Sequence, residues 1–134
     1  MARLEEIEGI GPAYRDKLAA AGISTVEGLL EAGGTGSGRT ELATRTGISQ
    51  TLILEWVNHA DLFRLKGVGG EYADLLEAAG VDSVPELAQR NPANLAVTLA
   101  RVNEEKKLVR SVPTEAQIAG WIEQAKTQER AVRH

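Results

Sequence analysis

The sequence contains no cysteine and only two histidines, His59 and His134. Disulfide bridges and thiolate metal sites are therefore excluded, and two histidines are too few to favour a zinc site or a catalytic triad. Aromatic residues make up 4% of the chain, so we expect an aliphatic core. No stretch approaches the roughly 18 apolar residues of a membrane-spanning helix, and no signal-peptide pattern is present. We therefore expect a cytoplasmic protein without membrane contact, metal or cofactor.

The chain also lacks an excess of positive charge. Its 15 basic residues are outnumbered by 19 acidic residues, for a formal net charge of −4. A nonspecific nucleic-acid binder gains affinity by neutralising phosphates and is usually basic. Any nucleic-acid site in this chain is therefore expected to be local.

An internal repeat organises the 134 residues. Residues 4–33 align with residues 62–91 at a shift of 58, and the downstream parts align at a shift of 65, which places Trp56 on Trp121. Duplication of a unit of about 60 residues explains both alignments. We predict one unit over residues 1–60, a second over residues 61–127, and a flexible polar tail over residues 128–134.

Both copies have helical periodicity and no strand pattern survives, so the predicted fold is all-α, with two similar helical units. Gly22 and Gly80 are predicted to end helices in the left-handed conformation. Capping boxes that begin at Ser24 and Ser83 should open the next helices, and the helix after Ser49 should run into Leu65. The predicted core consists of Leu18, Ile23, Val26, Leu29, Ile53, Trp56, Leu76, Val81, Val84, Leu87, Ile118 and Trp121.

The most informative repeated phrase is glycine–apolar–glycine, at Gly9-Ile10-Gly11 and Gly67-Val68-Gly69. Glycine permits a tight turn with positive φ, and the central apolar residue is expected to enter the core. The helix that follows starts with free N–H groups and the positive end of its dipole, which together favour an anion. Each phrase is therefore a candidate phosphate-binding turn.

With its runs Gly-Ile-Gly-Pro-x-Tyr, Ala-Gly-Ile-x-Thr-Val and Leu-Glu-Trp-Val-Asn, the chain resembles a bacterial family of unknown function that carries paired helix-hairpin-helix repeats. The resemblance covers about residues 4–126, and it extends to the tandem helix-hairpin-helix domains of DNA repair and replication proteins. It implies that the turn amides grip a DNA phosphate without reading sequence. The candidate residues for nucleic-acid binding are Gly9, Ile10, Gly11, Arg15, Lys17, Arg64, Lys66, Gly67, Val68 and Gly69.

Two functions stay open at this point. One is a non-enzymatic module that binds a DNA or RNA backbone, and the other is a protein–protein scaffold that keeps its hairpins only for helix packing. Acids crowd both turns, with Glu5, Glu6 and Glu8 before the first and Glu71 and Asp74 after the second, and they would repel a phosphate. An enzyme is not supported, because no catalytic constellation can be assembled. The sequence predicts no oligomeric state.

Three further features favour a structural interpretation. Residues 33–40 nearly spell a nucleotide-binding P-loop, but Arg39 replaces the lysine, so a loose glycine linker before a short helix over residues 40–45 is predicted. His59 is expected at the surface or half-buried. Residues 101–110, which include Arg110, form the most basic surface outside the turns. They could extend a track that binds a nucleic-acid backbone, but their mixed charge favours an exposed helix.

Overall fold

The computed structural model describes residues 3–133, and in this range all regular secondary structure is helical, apart from one isolated bridge between Arg3 and Thr25. The all-α prediction is confirmed. His134, weighed above as a metal ligand, lies outside the described residues. A short 3-10 turn, Leu4–Glu6, precedes eight α-helices in the described range: α1 (Pro12–Ala20), α2 (Val26–Gly33), α3 (Gly36–Thr46), α4 (Gln50–Leu62), α5 (Gly70–Ala78), α6 (Val84–Ala88), α7 (Pro92–Lys106) and α8 (Glu115–Thr127).

The chain divides into two units, each with its own buried core. The first unit runs to Asp61 and also includes the segment from Ala131 onward, whereas the second unit is Leu62–Arg130. In the first unit, α3 packs against α1 and α2. In the second unit, α8 packs against α6 and α7, and α7 also contacts α5.

Every residue of the predicted core is buried, which confirms that prediction. Gly22 and Gly80 have φ values of 86° and 92°, as their helix-ending positions require. Thr114 and Gln117 form the reciprocal capping box of α8, and the Ser83 hydroxyl accepts a hydrogen bond from the Glu86 amide to open α6. Local sequence signals therefore determine many of the helix ends.

Three local predictions are corrected. The cap of α2 is Thr25, whose hydroxyl accepts the Gly28 amide at 3.0 Å, so the helix begins one residue later than a cap at Ser24 would place it. Helix α4 ends at Leu62 and does not reach Leu65, because the Leu65 amide closes a turn on the Leu62 carbonyl. His59 is buried, with 2% of its surface exposed, rather than at the surface or half-buried.

The glycine-rich stretch over residues 33–38 is a tight joint between two helices rather than a loose linker. Gly33 ends α2, and Thr35 caps α3 by accepting the Gly38 amide at 3.0 Å. Helix α3 therefore starts at Gly36, well before the predicted Thr40, and ends at Gly47 with φ 75°. The glycines are needed here because neighbouring backbone and side chains leave no room for a Cβ at Gly33 or Gly38.

The C-terminal segment was predicted as a flexible tail because its composition is polar. In the structure the Arg133 amide donates to the Gly34 carbonyl at 2.7 Å, and Val132 is buried. Two adjacent apolar residues, Ala131 and Val132, in a polar stretch give no periodic signal, so composition alone did not indicate this packing.

Candidate functional site

The two glycine turns have nearly the same backbone geometry. Gly9 and Gly67 have φ values of 95° and 90°, in the region that favours glycine. Gly11 and Gly69 are the N-caps of α1 and α5, with extended backbones (φ −93°, ψ −174° and φ −98°, ψ −169°). Each turn therefore reverses direction at its first glycine and opens a helix at its second.

The central apolar residue of each turn is buried and its amide is already engaged. Ile10 and Val68 are each 4% exposed, which confirms their predicted place in the core. The Ile10 amide donates to the Ile7 carbonyl at 3.2 Å, and the Val68 amide donates to the Leu65 carbonyl at 3.1 Å. These two amides close the turns, so they are not available to a ligand without breaking them.

A tryptophan supports each turn from inside its unit. A Cβ built on Gly67 would lie 3.0 Å from Nε1 of Trp121, and one on Gly9 would lie 3.3 Å from Nε1 of Trp56. The tryptophan rings also pack on the tyrosines that follow the turns, with centroids 5.0 Å apart for Tyr14 and Trp56 and 5.2 Å for Tyr72 and Trp121. Both tryptophans are thus core anchors of the turns.

The open donors lie at the N-termini of α1 and α5. The first intrahelical bonds are donated by Arg15 to Gly11 and by Ala73 to Gly69, so the preceding amides have no partner within the helix. In α1 the first helical residue is Pro12, which has no N–H to offer. In α5 the same position is Gly70, which keeps its backbone N–H and has no side chain to cover it. The second turn therefore presents one more donor than the first.

The cations beside the first turn are engaged with neighbours. The Arg15 guanidinium contacts the Glu5 carboxylate at 3.2 Å and the Asp16 carboxylate at 3.3 Å. Hydrogen bonding to Glu5 and then to Asp16 raises the pKa of Arg15. The pKa of Glu5 is lowered, first by a backbone hydrogen bond and second by Arg15. The Lys17 ammonium lies over the Tyr14 ring, 5.8 Å from its centroid.

The two predicted cations of the second turn have different positions. Arg64 donates to the Glu129 carbonyl at 2.9 Å and to the Gln128 side chain at 3.3 Å, beyond the end of α8. Lys66 is held by its backbone, which exchanges hydrogen bonds of 2.8 and 3.2 Å with the Gln124 side chain. Gln124 thus fixes the chain just before Gly67, while the Lys66 side chain is exposed.

An open depression of about 390 Å³ lies at the start of α5. Gly67, Gly69, Gly70, Glu71, Tyr72, Arg110 and Ser111 line it. Tyr72 connects its two sides by donating from its hydroxyl to the Ser111 carbonyl at 3.0 Å. Arg110 is exposed, and none of the described residues forms a hydrogen bond or ion pair with its guanidinium.

The structure therefore brings together only part of the predicted set. Gly67 and Gly69 line the depression, Arg64 is directed elsewhere, and the first turn has its own separate neighbours. Arg110 was not among the predicted site residues, although its stretch was considered as an extension of a backbone-binding track. The only sequence signal was its membership in the basic stretch over residues 101–110, which lies far from Gly69 along the chain. That stretch is only partly helical, since α7 ends at Lys106.

Two negative findings concern the described part of the chain. No helix between residues 3 and 133 has the length and apolar character that crossing a membrane requires. No three potential metal ligands among histidine, aspartate and glutamate come together in that range.

The chain was also compared with known protein families. Residues 8–128 match the family described as "Domain of unknown function (DUF4332)". No curated protein and no solved structure matches the chain.

Proposed function

Because the chain belongs to the DUF4332 family, whose description gives no activity, we propose its function from the geometry of the second turn: a non-enzymatic module that binds a nucleic-acid phosphate backbone without reading sequence. The site comprises the N-terminal amides of α5 and the Arg110 guanidinium. The single observation that carries the proposal is the depression that Gly70 and Arg110 both line, where no described residue pairs with the Arg110 guanidinium.

We also propose that both units are helix-hairpin-helix motifs that arose by duplication. The positive-φ glycine, the extended glycine cap, and the tyrosine–tryptophan pair recur in both units with closely similar values. Bacterial origin and a cytoplasmic location stay predictions from the sequence.

The chemistry suits a phosphate at the start of α5. Backbone N–H groups at a helix N-terminus point at an anion, and the helix dipole favours negative charge there. A guanidinium adds charge-assisted hydrogen bonds in a fork geometry that matches phosphate oxygens. Neither element contacts a base, so the expected binding is independent of sequence and weakens with salt.

Glu71 limits the affinity of this site. Its carboxylate belongs to the second residue of α5 and lines the same depression, so it repels a phosphate there. With one arginine that no described residue pairs with and one opposing acid, we expect weak binding that is measurable only at low salt.

A protein–protein scaffold is the alternative, and the first turn favours it. That turn keeps the full backbone geometry although Pro12 removes a donor and Arg15 is paired with two carboxylates. Its geometry therefore serves helix packing without needing a ligand. We assign nucleic-acid contact to the second turn and an architectural role to the first.

The test uses a difference between the two turns that already exists in the chain. Gly70→Pro gives α5 the residue that α1 has in the same position, and it removes one N–H while keeping a good first helical residue. Gly69 has the same extended backbone as Gly11, which precedes Pro12, so the substitution fits. Arg110→Gln removes the cation. Lys126→Gln, on the exposed side of α8, is the charge-matched control.

The measurement is fluorescence anisotropy of labelled single-stranded and double-stranded DNA and of RNA at low salt. Gly70→Pro and Arg110→Gln should each weaken binding roughly three- to tenfold, and Arg110→Gln should reduce the salt slope by about one. Lys126→Gln should change affinity far less. If the wild-type protein binds none of the probes, or if both site variants bind as well as the control, the assignment to the second turn fails.

A further inference from the structure

Residues 131–133 belong to the first unit, and their backbone is held at the joint between α2 and α3. The Arg133 amide donates to the Gly34 carbonyl, and the Arg133 carbonyl accepts a hydrogen bond from Nη2 of Arg39, both at 2.7 Å. Both polar backbone groups of one residue are therefore bound. This is the pattern by which proteins hold an extended peptide.

The Arg39 side chain is also held by a hydrogen bond outside this segment. It is only 7% exposed, and its Nη1 donates to the Gly33 carbonyl at 2.9 Å. A buried guanidinium is costly unless hydrogen bonds satisfy it, and Nη2 has its partner in the segment. The buried arginine is thus oriented toward a peptide carbonyl.

Gly34 lets the segment come close. Its φ of −66° and ψ of −22° are helical, so no backbone requirement explains the glycine. A Cβ at this position would lie 2.6 Å from the Ala131 carbonyl oxygen and 3.1 Å from that of Leu30. The absence of a side chain at Gly34 is therefore what allows the backbone of residue 131 to approach.

Val132 supplies the apolar contact. Its side chain is 1% exposed, although it lies between the exposed residues Arg130 and Arg133 and one position after half-buried Ala131. A buried aliphatic anchor with hydrogen bonds to the neighbouring backbone gives both affinity and register.

We propose that the first unit contains a peptide-binding groove, formed by the Gly34 carbonyl and by the Arg39 guanidinium that the Gly33 carbonyl orients, and that residues 131–133 occupy it as an intramolecular ligand. The ligand class is an extended peptide with an aliphatic side chain at the Val132 position. An attached ligand has a millimolar effective concentration, so it excludes free peptide until the segment is released. This inference is independent of the phosphate site.

The first measurement is amide hydrogen exchange of the full-length protein by NMR. The Arg133 amide should exchange at least about tenfold more slowly than in an isolated peptide of residues 129–133. Gly34→Ala should abolish this protection, because the new Cβ meets the Ala131 carbonyl. Gly36→Ala is the matched control, since its Cβ would have only Arg39 Nη2 nearby, at 3.7 Å, and it should preserve protection.

The second measurement adds the amidated peptide of residues 129–133 to full-length Val132→Asp protein. The variant should bind the peptide, with chemical-shift changes at Gly34 and the Arg39 side chain, whereas the wild-type protein and a peptide with aspartate in place of valine should show none. Equal binding to wild type and variant would overturn the proposal, and so would no binding to a folded variant. If Val132→Asp does not fold, the exchange measurement decides by itself: an Arg133 amide that exchanges in the wild-type protein as fast as in the free peptide would overturn the proposal. Protection found only in a dimer would overturn the intramolecular occupancy.

Discussion

Nε1 of Trp121 lies 3.0 Å from the position that a Cβ on Gly67 would occupy. Gly67 is thus constrained twice, by its φ of 90° and by the indole ring. Gly80 has almost the same φ, 92°, but nothing lies within 4 Å of its Cβ position. Substitutions at these two glycines of the second unit therefore distinguish the cost of backbone strain from the cost of a steric clash.

This pair gives the first prediction. Gly80→Ala should lower the free energy of unfolding by about 1–2 kcal/mol, the cost of a left-handed L-residue. Gly67→Ala should cost about 1 kcal/mol more, because Trp121 must also shift. Urea denaturation followed by tryptophan fluorescence and by far-UV circular dichroism measures both. Equal losses for the two variants would mean that the indole does not constrain the turn.

How much of this fold is predictable depends on the range of the determining interaction. The positive φ of Gly67, the burial of Val68 and the Ser83 cap are set within a few residues of sequence, and they were predicted. The helix-capping role of Thr25 rather than Ser24 depends on one residue of register, and the alignment at a shift of 58, which places Thr25 on Ser83, contained the signal for it.

The candidate site was less predictable for the same reason. Arg64 was chosen because it precedes Gly67 in sequence, but its side chain reaches Gln128 and Glu129 instead. Arg110 joins the second turn only through tertiary packing, in which Tyr72 bonds to the neighbouring Ser111 carbonyl. A sequence pattern shows which residues are near along the chain and cannot show the direction of a long side chain.

The second prediction concerns Glu71. Glu71→Gln removes the negative charge that shares the depression with Arg110, so nucleic-acid affinity at low salt should rise by roughly threefold. The same change removes a favourable interaction with the α5 dipole and should lower stability by about 0.5 kcal/mol. Anisotropy titration and thermal unfolding measure the two effects.

The expected rise in affinity together with a fall in stability makes this prediction specific to the site. A mutation that merely damaged the fold would lower both affinity and stability. Glu115→Gln is the matched control, because Glu115 also lies in the first turn of a helix, α8. It should lower stability slightly and alter affinity far less than Glu71→Gln. An unchanged affinity in Glu71→Gln would argue against phosphate binding at α5.

The third prediction uses the lowered pKa of Glu5. Because this pKa is lower in the folded state than in the unfolded chain, Glu5 stabilises the fold above its ordinary pKa of 4.5, and the contribution is lost as pH falls through the folded value. Glu5→Gln should therefore be less stable than wild type at neutral pH, and the difference should shrink below pH 4.5.

Urea midpoints measured between about pH 3 and 7 test this sign. The effect should be small, since the ion pair of Glu5 with Arg15 is exposed and screened by solvent. A difference that grows on acidification would contradict the assignment. The Arg15→Gln variant should show the same pH dependence as Glu5→Gln in kind, but weaker, because the first cause of the Glu5 shift is a backbone hydrogen bond that remains.

The fourth prediction concerns the glycines at the start of α3. A Cβ on Gly38 would collide with the Ala32 carbonyl and approach the Thr35 hydroxyl to 3.1 Å, whereas Gly36, two residues earlier in the same turn, has room. Gly38→Ala should destabilise the protein by about 1–3 kcal/mol through overpacking, and Gly36→Ala should be neutral or stabilise it by up to about 1 kcal/mol. In a flexible linker both substitutions would have the same small effect. Thermal unfolding of the two variants therefore distinguishes a packed joint from a linker, and equal melting temperatures would contradict the tight packing of α2 against α3.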